Sequence, residues 1–141
     1  MATTRTATTT WDGGLTDGKG LVVLESSGVG SFDVSWPARA EEPNGVTSPE
    51  ELIAAAHSAC FSMALSAALG KAGTPPQRLE THAEVGFQPG TGITQIRLSV
   101  QGSVEGIDAD GFRSAAEGAK VNCPVSKALT GVEITLDASL V

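Results

Sequence analysis

The sequence predicts an α+β fold: an antiparallel-rich sheet of about six strands, a long buried central helix and a second, shorter helix. Six segments are short apolar runs or alternate apolar with polar residues, as strands do. Two other segments carry an N-cap signal ahead of a helical stretch. Most strands follow one another through glycine-containing turns, which favours hairpins over βαβ units. No repeat or linker divides the 141 residues, so we expect one domain, 1–141.

The first third of the chain predicts three strands in an antiparallel meander. TATTTW is rich in threonine, KGLVVLES is a short apolar run, and in SFDVSW the residues Phe32, Val34 and Trp36 alternate with polar ones. Glycines between these runs supply the turns. The following PARAEEPNGVT predicts a loop.

The segment SPEELIAAAHSACFSMALSAALGKAG predicts the long helix. Ser48 is a natural N-cap, Pro49 suits the first helical position, and Glu51 completes an S-x-x-E capping box. Gly70 or Gly73 predicts the end of the helix.

From Leu52 to Gly70 this helix carries no charged residue. A membrane span is one interpretation, but the alanine and serine content and the flanking strands favour a helix buried inside the fold, outside any membrane. A sheet would cover one side of it, and the opposite side would still present Ala, Ser and Cys. We infer that a second copy of the chain covers that side in a homodimer; cover by local helices is the alternative.

The second half of the chain predicts a hairpin, a helix and a closing strand. In RLETHAEVGFQ and TQIRLSVQGSV the apolar residues alternate with polar ones, and QPGTG joins the two runs. DADGFRSAAEGAKV predicts a helix capped by Asp108 or Asp110. VEITLDASLV predicts the last strand.

Charge and composition narrow the classes of function. The net charge of −7 and the lack of a Lys/Arg run disfavour nucleic acid as a partner. The opening MATTRTATTTWDGG has no apolar core of signal-peptide length, so we expect a cytoplasmic protein. In a reducing compartment a permanent disulfide is disfavoured, and redox or catalytic cysteines become more plausible.

The chain has two cysteines, Cys60 in the long helix and Cys123 in NCPVSKAL. They could be inert core thiols, a structural disulfide, part of a metal site or a redox pair. In mid-helix Cys60 gains nothing from the helix dipole, and apolar surroundings raise the pKa of a thiol, so a nucleophilic Cys60 needs a cation. Cys123 can be interpreted as the N-cap of a short helix that begins at Pro124, which would make its thiol more acidic; a turn residue is the alternative.

The spacing of the two cysteines and the two histidines does not fit a zinc site. His57 lies one turn before Cys60, and we expect it on the helix surface. His82 falls on the polar face of a strand, where we expect it to be solvated. No C-x-x-C, phosphate-binding glycine motif or G-x-S-x-G is present.

Three stretches resemble the OsmC/Ohr family of thiol peroxidases: GVTSPEELIAAAHSACFSMAL, GIDADGFRSAAEGAKVNCPVSKAL and VEITLDASLV. The resemblance extends over nearly the whole chain, from TATTTWDGGLTDGKG onward. It implies an OsmC/Ohr-like fold, an intertwined homodimer with active sites at the subunit interface, and reduction of organic hydroperoxides, with hydrogen peroxide a poorer substrate. It also implies Cys60 as the peroxidatic cysteine and Cys123 as the resolving cysteine.

The active site of this family adds a glutamate and an arginine. The glutamate matches Glu50 of SPEEL. The Ohr branch carries its arginine in the early glycine turn, which here is WDGGLTDGKG and has none. The OsmC branch carries it after the third strand, where SWPARAEE offers Arg39, so the chain resembles the OsmC branch. Lys19 in the early turn is a weaker candidate for the cation.

The chemistry implied by the resemblance needs neither a metal nor a bound cofactor. Arg39 would stabilise the Cys60 thiolate and polarise the peroxide, and Glu50 would orient the guanidinium. Cys123 would then resolve the Cys60 sulfenic acid to a disulfide, which an external dithiol or reductase partner reduces. The Ohr branch suggests a lipoyl-type dithiol; for an OsmC-like chain the reductant is open. The alternatives are a redox sensor and a small-molecule-binding dimer without turnover.

Helix geometry adds one expectation about how the site is assembled. Glu50 precedes Cys60 by ten residues, which is about 15 Å along a helix axis and turns the two side chains to different sides. We therefore expect composite sites, with Cys60 and Cys123 from one subunit and Glu50 and Arg39 from its partner.

Overall fold

The computed structural model describes all residues from Met1 to Val141 and contains six strands and four helices. In chain order these are β1 (Ala7–Asp12), β2 (Lys19–Leu24), β3 (Ser31–Val34), α1 (Trp36–Ala40), α2 (Pro49–Lys71), β4 (Arg78–Gln88), β5 (Gly92–Ser103), α3 (Ala109–Asn122), α4 (Pro124–Ala128) and β6 (Glu133–Leu140). The contacts of the chain group into two compact units, 1–52 and 53–141. The single domain over 1–141 stays a prediction.

In the first unit, β1, β2 and β3 form the predicted antiparallel meander. Every residue of β1 is exposed, and Val22 and Val34 are the buried apolar residues of this sheet. Several large apolar side chains on or beside the strands remain exposed: Trp11, Leu15, Leu21, Val23, Val29 and Phe32. The sheet of this unit therefore leaves much apolar surface uncovered within the chain.

The loop predicted after the third strand is wrong in its first part, because Trp36–Ala40 forms the short helix α1. Trp36 accordingly belongs to α1, whereas the alternation pattern had placed it in a strand. The Ser35 side chain caps the helix by accepting from the Ala38 N–H at 3.2 Å, and Pro37 lies in the first turn. A serine cap followed by proline is an ordinary start signal for a helix.

The start of α2 follows the predicted capping. The Ser48 hydroxyl accepts a hydrogen bond from the Glu51 N–H at 3.1 Å, and Pro49 is the first helical residue. The capping box is only half formed, because the Glu51 carboxylate accepts from the Thr47 hydroxyl.

The end of α2 is a Schellman motif. Gly73 has a φ of +88°, its N–H bonds to the Gly70 carbonyl at 3.1 Å, and the Thr74 N–H bonds to the Leu69 carbonyl at 2.9 Å. By length and composition α2 could cross a membrane, a test that core helices of soluble proteins also pass. Its side chains Phe61, Leu65 and Leu69 are almost fully buried in the core of the second unit.

In the second unit, β4 pairs antiparallel with β5, and β5 pairs parallel with β6. The six predicted strands therefore form two three-stranded sheets, where one sheet had been expected. The parallel pair arises because α3 and α4 connect β5 to β6, and a crossover returns the chain in the same direction. The core between this sheet and the helices contains Phe61, Leu65, Leu69, Ile96, Leu98, Val100, Phe112, Ala116, Ala119, Cys123 and Ala138.

The predicted second helix is α3, and Asp108 caps it by accepting from the Gly111 N–H at 2.7 Å. Cys123 is the N-cap of α4, and Pro124 begins that helix, as the sequence predicts. The α+β class and the arrangement of a long helix with a second, shorter helix are confirmed.

Candidate active site

The second unit brings the two cysteines together. Cys60 lies in the middle of α2 and is partly buried, and Cys123 lies between α3 and α4 and is fully buried. Both thiols are free, and Cys60 packs against the core cluster that contains Cys123, close enough for each thiol to affect the pKa of the other. Proximity of two thiols is the first requirement for a disulfide between them.

The position of Cys123 follows from the break between two helices. Its N–H closes α3 by bonding to the Ala119 carbonyl at 2.8 Å, and its own carbonyl accepts from the Lys127 N–H at 3.0 Å. Its extended φ and ψ of −55° and 127° end α3, as expected for a residue that precedes proline. Pro124 then starts α4, so the thiol projects from a fixed corner of the backbone.

The surroundings shift the pKa values of the two thiols in opposite directions. Burial raises the pKa of Cys60, and the hydrogen bond to Cys123 raises this pKa further, while a hydrogen bond from the Val125 N–H opposes the shift. Burial also raises the pKa of Cys123, but hydrogen bonds from the Ser126 N–H, the Cys60 thiol and the Ser126 hydroxyl outweigh it and hold this pKa below its ordinary value. Within the pair Cys123 is therefore the more acidic thiol, and a nucleophilic Cys60 requires a cation.

A buried polar pair lies next to the thiols. His57 and Ser126 are both buried, and His57 Nε2 is 2.7 Å from Ser126 Oγ. Burial lowers the pKa of His57, which keeps the ring neutral. The expectation of His57 on the helix surface is wrong, because the ring is buried and Ser126 of α4 is a hydrogen-bond partner for its Nε2 inside the core. His82 is exposed on β4, as expected.

Ser126 is a residue of this site that was not predicted from the sequence. The available signal is its place in NCPVSKAL, three residues after an N-cap cysteine, where a side chain and its N–H both turn back toward the cap.

In the first unit, Arg39 and Glu50 form a two-point ion pair. Arg39 Nη2 lies 2.9 Å from Glu50 Oε2, and Arg39 Nε lies 3.0 Å from Oε1. Glu50 is 6% exposed, and the Arg39 side chain is 31% exposed. Glu50 is in the first turn of α2, where the helix dipole favours a carboxylate. Lys19, the weaker candidate for the cation, opens β2 opposite Asp12.

An apolar cavity of about 380 Å³ lies in the first unit and reaches Arg39. Trp11, Leu15, Trp36 and Leu52 are among its lining residues. The cavity joins a cationic group to an apolar wall, which suits a ligand with one polar end and one hydrocarbon end. No group of three or more His, Cys, Asp or Glu side chains is placed to hold a metal ion.

The chain is similar to known proteins in sequence and in fold. The family of OsmC-like proteins matches residues 42–137. Peroxiredoxin OsmC of Escherichia coli K12 is 45% identical over 133 residues, which cover 92% of each chain. Organic hydroperoxide resistance protein OhrA of Bacillus subtilis 168 is 32% identical over 131 residues, covering 83% of this chain and 86% of the relative. The crystal structure of an organic hydroperoxide resistance protein from Elizabethkingia anophelis matches over 100% of both chains, with a TM-score of 0.71 and 28% identity.

Proposed function

The chain belongs to the OsmC family, and we propose that it is a thiol peroxidase of the OsmC branch that reduces organic hydroperoxides, and hydrogen peroxide less well, in defence against oxidative stress. Membership confirms the resemblance that its sequence motifs indicate. One observation carries the proposal for this chain: its only two cysteines, far apart in sequence, are free and are packed together at the same core. Relatives named peroxiredoxin and organic hydroperoxide resistance protein support the same chemistry.

In the first step the Cys60 thiolate attacks a peroxide oxygen. A sulfur–oxygen bond forms, the O–O bond breaks, and the alkoxide takes up a proton and leaves as the alcohol. Cys60 becomes a sulfenic acid and the peroxide has been reduced by two electrons. Cys60 suits this role because it is the thiol of the pair that is only partly buried.

In the second step Cys123 attacks the Cys60 sulfenic sulfur. The disulfide bond forms and the hydroxyl leaves as water. An external dithiol then exchanges with the disulfide through a mixed disulfide and returns both thiols, itself becoming a disulfide. The chain needs no bound cofactor for this cycle, and a lipoyl-type dithiol is one candidate reductant.

Arg39 is proposed as the cation that Cys60 requires. A guanidinium beside the sulfur lowers the pKa of the thiol and stabilises charge as the O–O bond breaks. Glu50, nearly buried and bonded to two nitrogens of Arg39, is proposed to fix the direction of that guanidinium. The apolar cavity that reaches Arg39 is proposed to receive the hydrocarbon part of the substrate.

A homodimer is proposed as the working form. On α2 an exposed row of small and apolar residues recurs at helical spacing and consists of Ala56, Ala59, Met63, Ser66, Ala67 and Gly70. The first unit also exposes large apolar side chains such as Trp11 and Phe32. Uncovered apolar surface of this extent is typical of interfaces. Sedimentation of the dilute protein should give a dimer, and a stable folded monomer would contradict it.

A steady-state peroxidase assay tests the function. An alkyl hydroperoxide and hydrogen peroxide are compared with several dithiols, and the alcohol formed is measured against the dithiol consumed. We expect catalytic turnover with one alcohol formed per dithiol oxidised, and a higher kcat/KM for the alkyl hydroperoxide. Oxidation that stops after one equivalent with every dithiol would instead indicate a redox sensor, and thiols that peroxide leaves unchanged would indicate a binding dimer.

Subunit complementation tests the proposed composite site. Cys60→Ser and Arg39→Ala proteins are mixed under conditions that let subunits exchange. If Arg39 serves the cysteine of the partner, each heterodimer regains one site with both groups intact, and activity returns in part. No recovery despite demonstrated exchange would defeat the composite site and leave the peroxidase proposal standing.

A further inference from the structure

One hydrogen bond ties together the two segments that carry the cysteines. His57 lies one turn before Cys60 on α2, and Ser126 lies in α4, the helix that Cys123 caps. The 2.7 Å contact between His57 Nε2 and Ser126 Oγ is buried. Ser126 lies three residues after Cys123 in the helix that Cys123 caps, and its hydroxyl contributes to lowering the pKa of the Cys123 thiol. The proposed peroxidase cycle assigns no role to His57 or Ser126.

The contacts of the ring indicate where its hydrogen lies. His57 Nδ1 is buried without a hydrogen-bond partner, whereas Nε2 faces Ser126. A neutral ring carries one hydrogen, and a buried N–H without a partner is rarer than a buried acceptor without one. The hydrogen is therefore assigned to Nε2, which donates to Ser126 Oγ. The Ser126 hydroxyl is then free to donate its own hydrogen to Cys123.

We propose that Ser126 and His57 position and activate the resolving cysteine, with His57 holding the Ser126 hydroxyl so that it donates to the Cys123 sulfur during disulfide formation. This inference rests on the proposed peroxidase function. The Cys60–Cys123 bond forms as the S–O bond of the sulfenic acid breaks. The departing hydroxyl receives the thiol proton of Cys123, so the products are one disulfide and one water. The Ser126 hydrogen bond stabilises the charge that Cys123 carries while its proton leaves.

Separate measurement of the two steps tests this role. The reduced protein is mixed with one equivalent of an alkyl hydroperoxide, quenched at intervals and examined by mass spectrometry for sulfenic acid and disulfide. Ser126→Ala should leave Cys60 oxidation within about twofold of the parent rate and slow disulfide formation by about tenfold or more, because a hydrogen bond to a charged group is lost. His57→Phe should slow the same step.

Conservative variants separate this role from simple packing. Ser126→Thr keeps the hydroxyl, and His57→Gln keeps an N–H donor near the position of Nε2, so both should recover most of the rate of disulfide formation. Each variant is first checked for cooperative unfolding. Parent-like disulfide formation in Ser126→Ala would overturn the proposal, and so would equal slowing by the conservative and the disruptive variants.

A readout without peroxide keeps this inference separate from the proposed function. In a Cys60→Ser background, the ultraviolet absorbance of the Cys123 thiolate is followed during a pH titration. Adding Ser126→Ala should raise the pKa of Cys123, and Ser126→Thr should not. This shift would be seen even if the parent protein reduced no peroxide, and its absence would count against the Ser126 hydrogen bond alone.

Discussion

The thiol region of the second unit and the charged region of the first unit differ in what each one lacks. The thiol region contains Cys60 and Cys123 in contact, but burial raises the pKa of Cys60 and no cation is among the groups that shift it. The charged region contains the Arg39–Glu50 pair and an apolar cavity, but no nucleophile. In the proposed chemistry each region supplies half of what peroxide reduction requires, so we expect neither region to be reactive alone.

The two regions also differ in how the chain builds them. Arg39 and Glu50 are eleven residues apart, so two neighbouring helices are enough to join them. Cys60 and Cys123 meet only when α2 and the α3–α4 corner are packed against the same core. The ion pair is a local product of the sequence, whereas the thiol pair depends on the whole second unit.

Substitution of Cys60, the proposed nucleophile of the thiol region, should have the largest effect on peroxidase turnover. Cys60→Ser should abolish peroxidase turnover with saturating dithiol, because no other group in the chain offers a comparable nucleophile. The steady-state assay measures this, with the melting temperature as a check on folding. Turnover at the parent rate would show that Cys60 is not the nucleophile.

Removing the second thiol should leave one turnover. Cys123→Ser should consume one equivalent of hydroperoxide at about the parent rate and then stall as the Cys60 sulfenic acid or overoxidise. Rapid mixing followed by mass spectrometry distinguishes these products. Sustained turnover with a dithiol would mean that the reductant itself resolves Cys60.

Substitution of Arg39 tests the proposed role of the charged region. Arg39→Ala should lower kcat/KM for an alkyl hydroperoxide by about 100-fold, the scale expected for losing one charge-stabilising donor in an active site. Arg97→Ala is the matched control, since Arg97 pairs with Glu84 on the exposed face of β4 and β5. The control should change kcat/KM by less than about twofold. Equal effects of the two substitutions would remove Arg39 from the proposed chemistry.

Weakening the hydrogen bonds that orient the Arg39 guanidinium should have the smallest effect on kcat/KM. Glu50→Gln keeps the shape of the side chain and one acceptor oxygen but removes the charge, so we expect kcat/KM to fall by about tenfold, as one charge-assisted hydrogen bond is weakened. A loss as large as that of Arg39→Ala would mean that Glu50 does more than orient its partner.

The sequence predicted the parts of this fold that local chemistry determines. The Ser48 and Asp108 caps, the turn to α4 at Pro124 and the alternating faces of β4 and β5 are each set by neighbouring residues. The family motif also pointed to Arg39 and Glu50, which the structure places in contact.

The sequence did not predict the features that depend on distant segments. The environment of His57 is set by Ser126, 69 residues away, and no periodicity within α2 reveals it. The division into two sheets and the parallel pairing of β6 depend on the path of the chain through α3 and α4. Trp36 was misassigned because a strand pattern and a helix start overlap at Ser35, and the serine–proline cap prevailed.

The unequal exposure of the two thiols has a consequence for the order of oxidation. Cys123 is fully enclosed, and Cys60 is the one that solvent reaches. A bulky oxidant must therefore meet Cys60 first, whichever thiol loses its proton more readily. We therefore expect steric access to favour oxidation of Cys60, in addition to the effect of the proposed cation on the pKa of its thiol. We also expect the buried thiol to be shielded from irreversible oxidation and to remain available to resolve a Cys60 sulfenic acid.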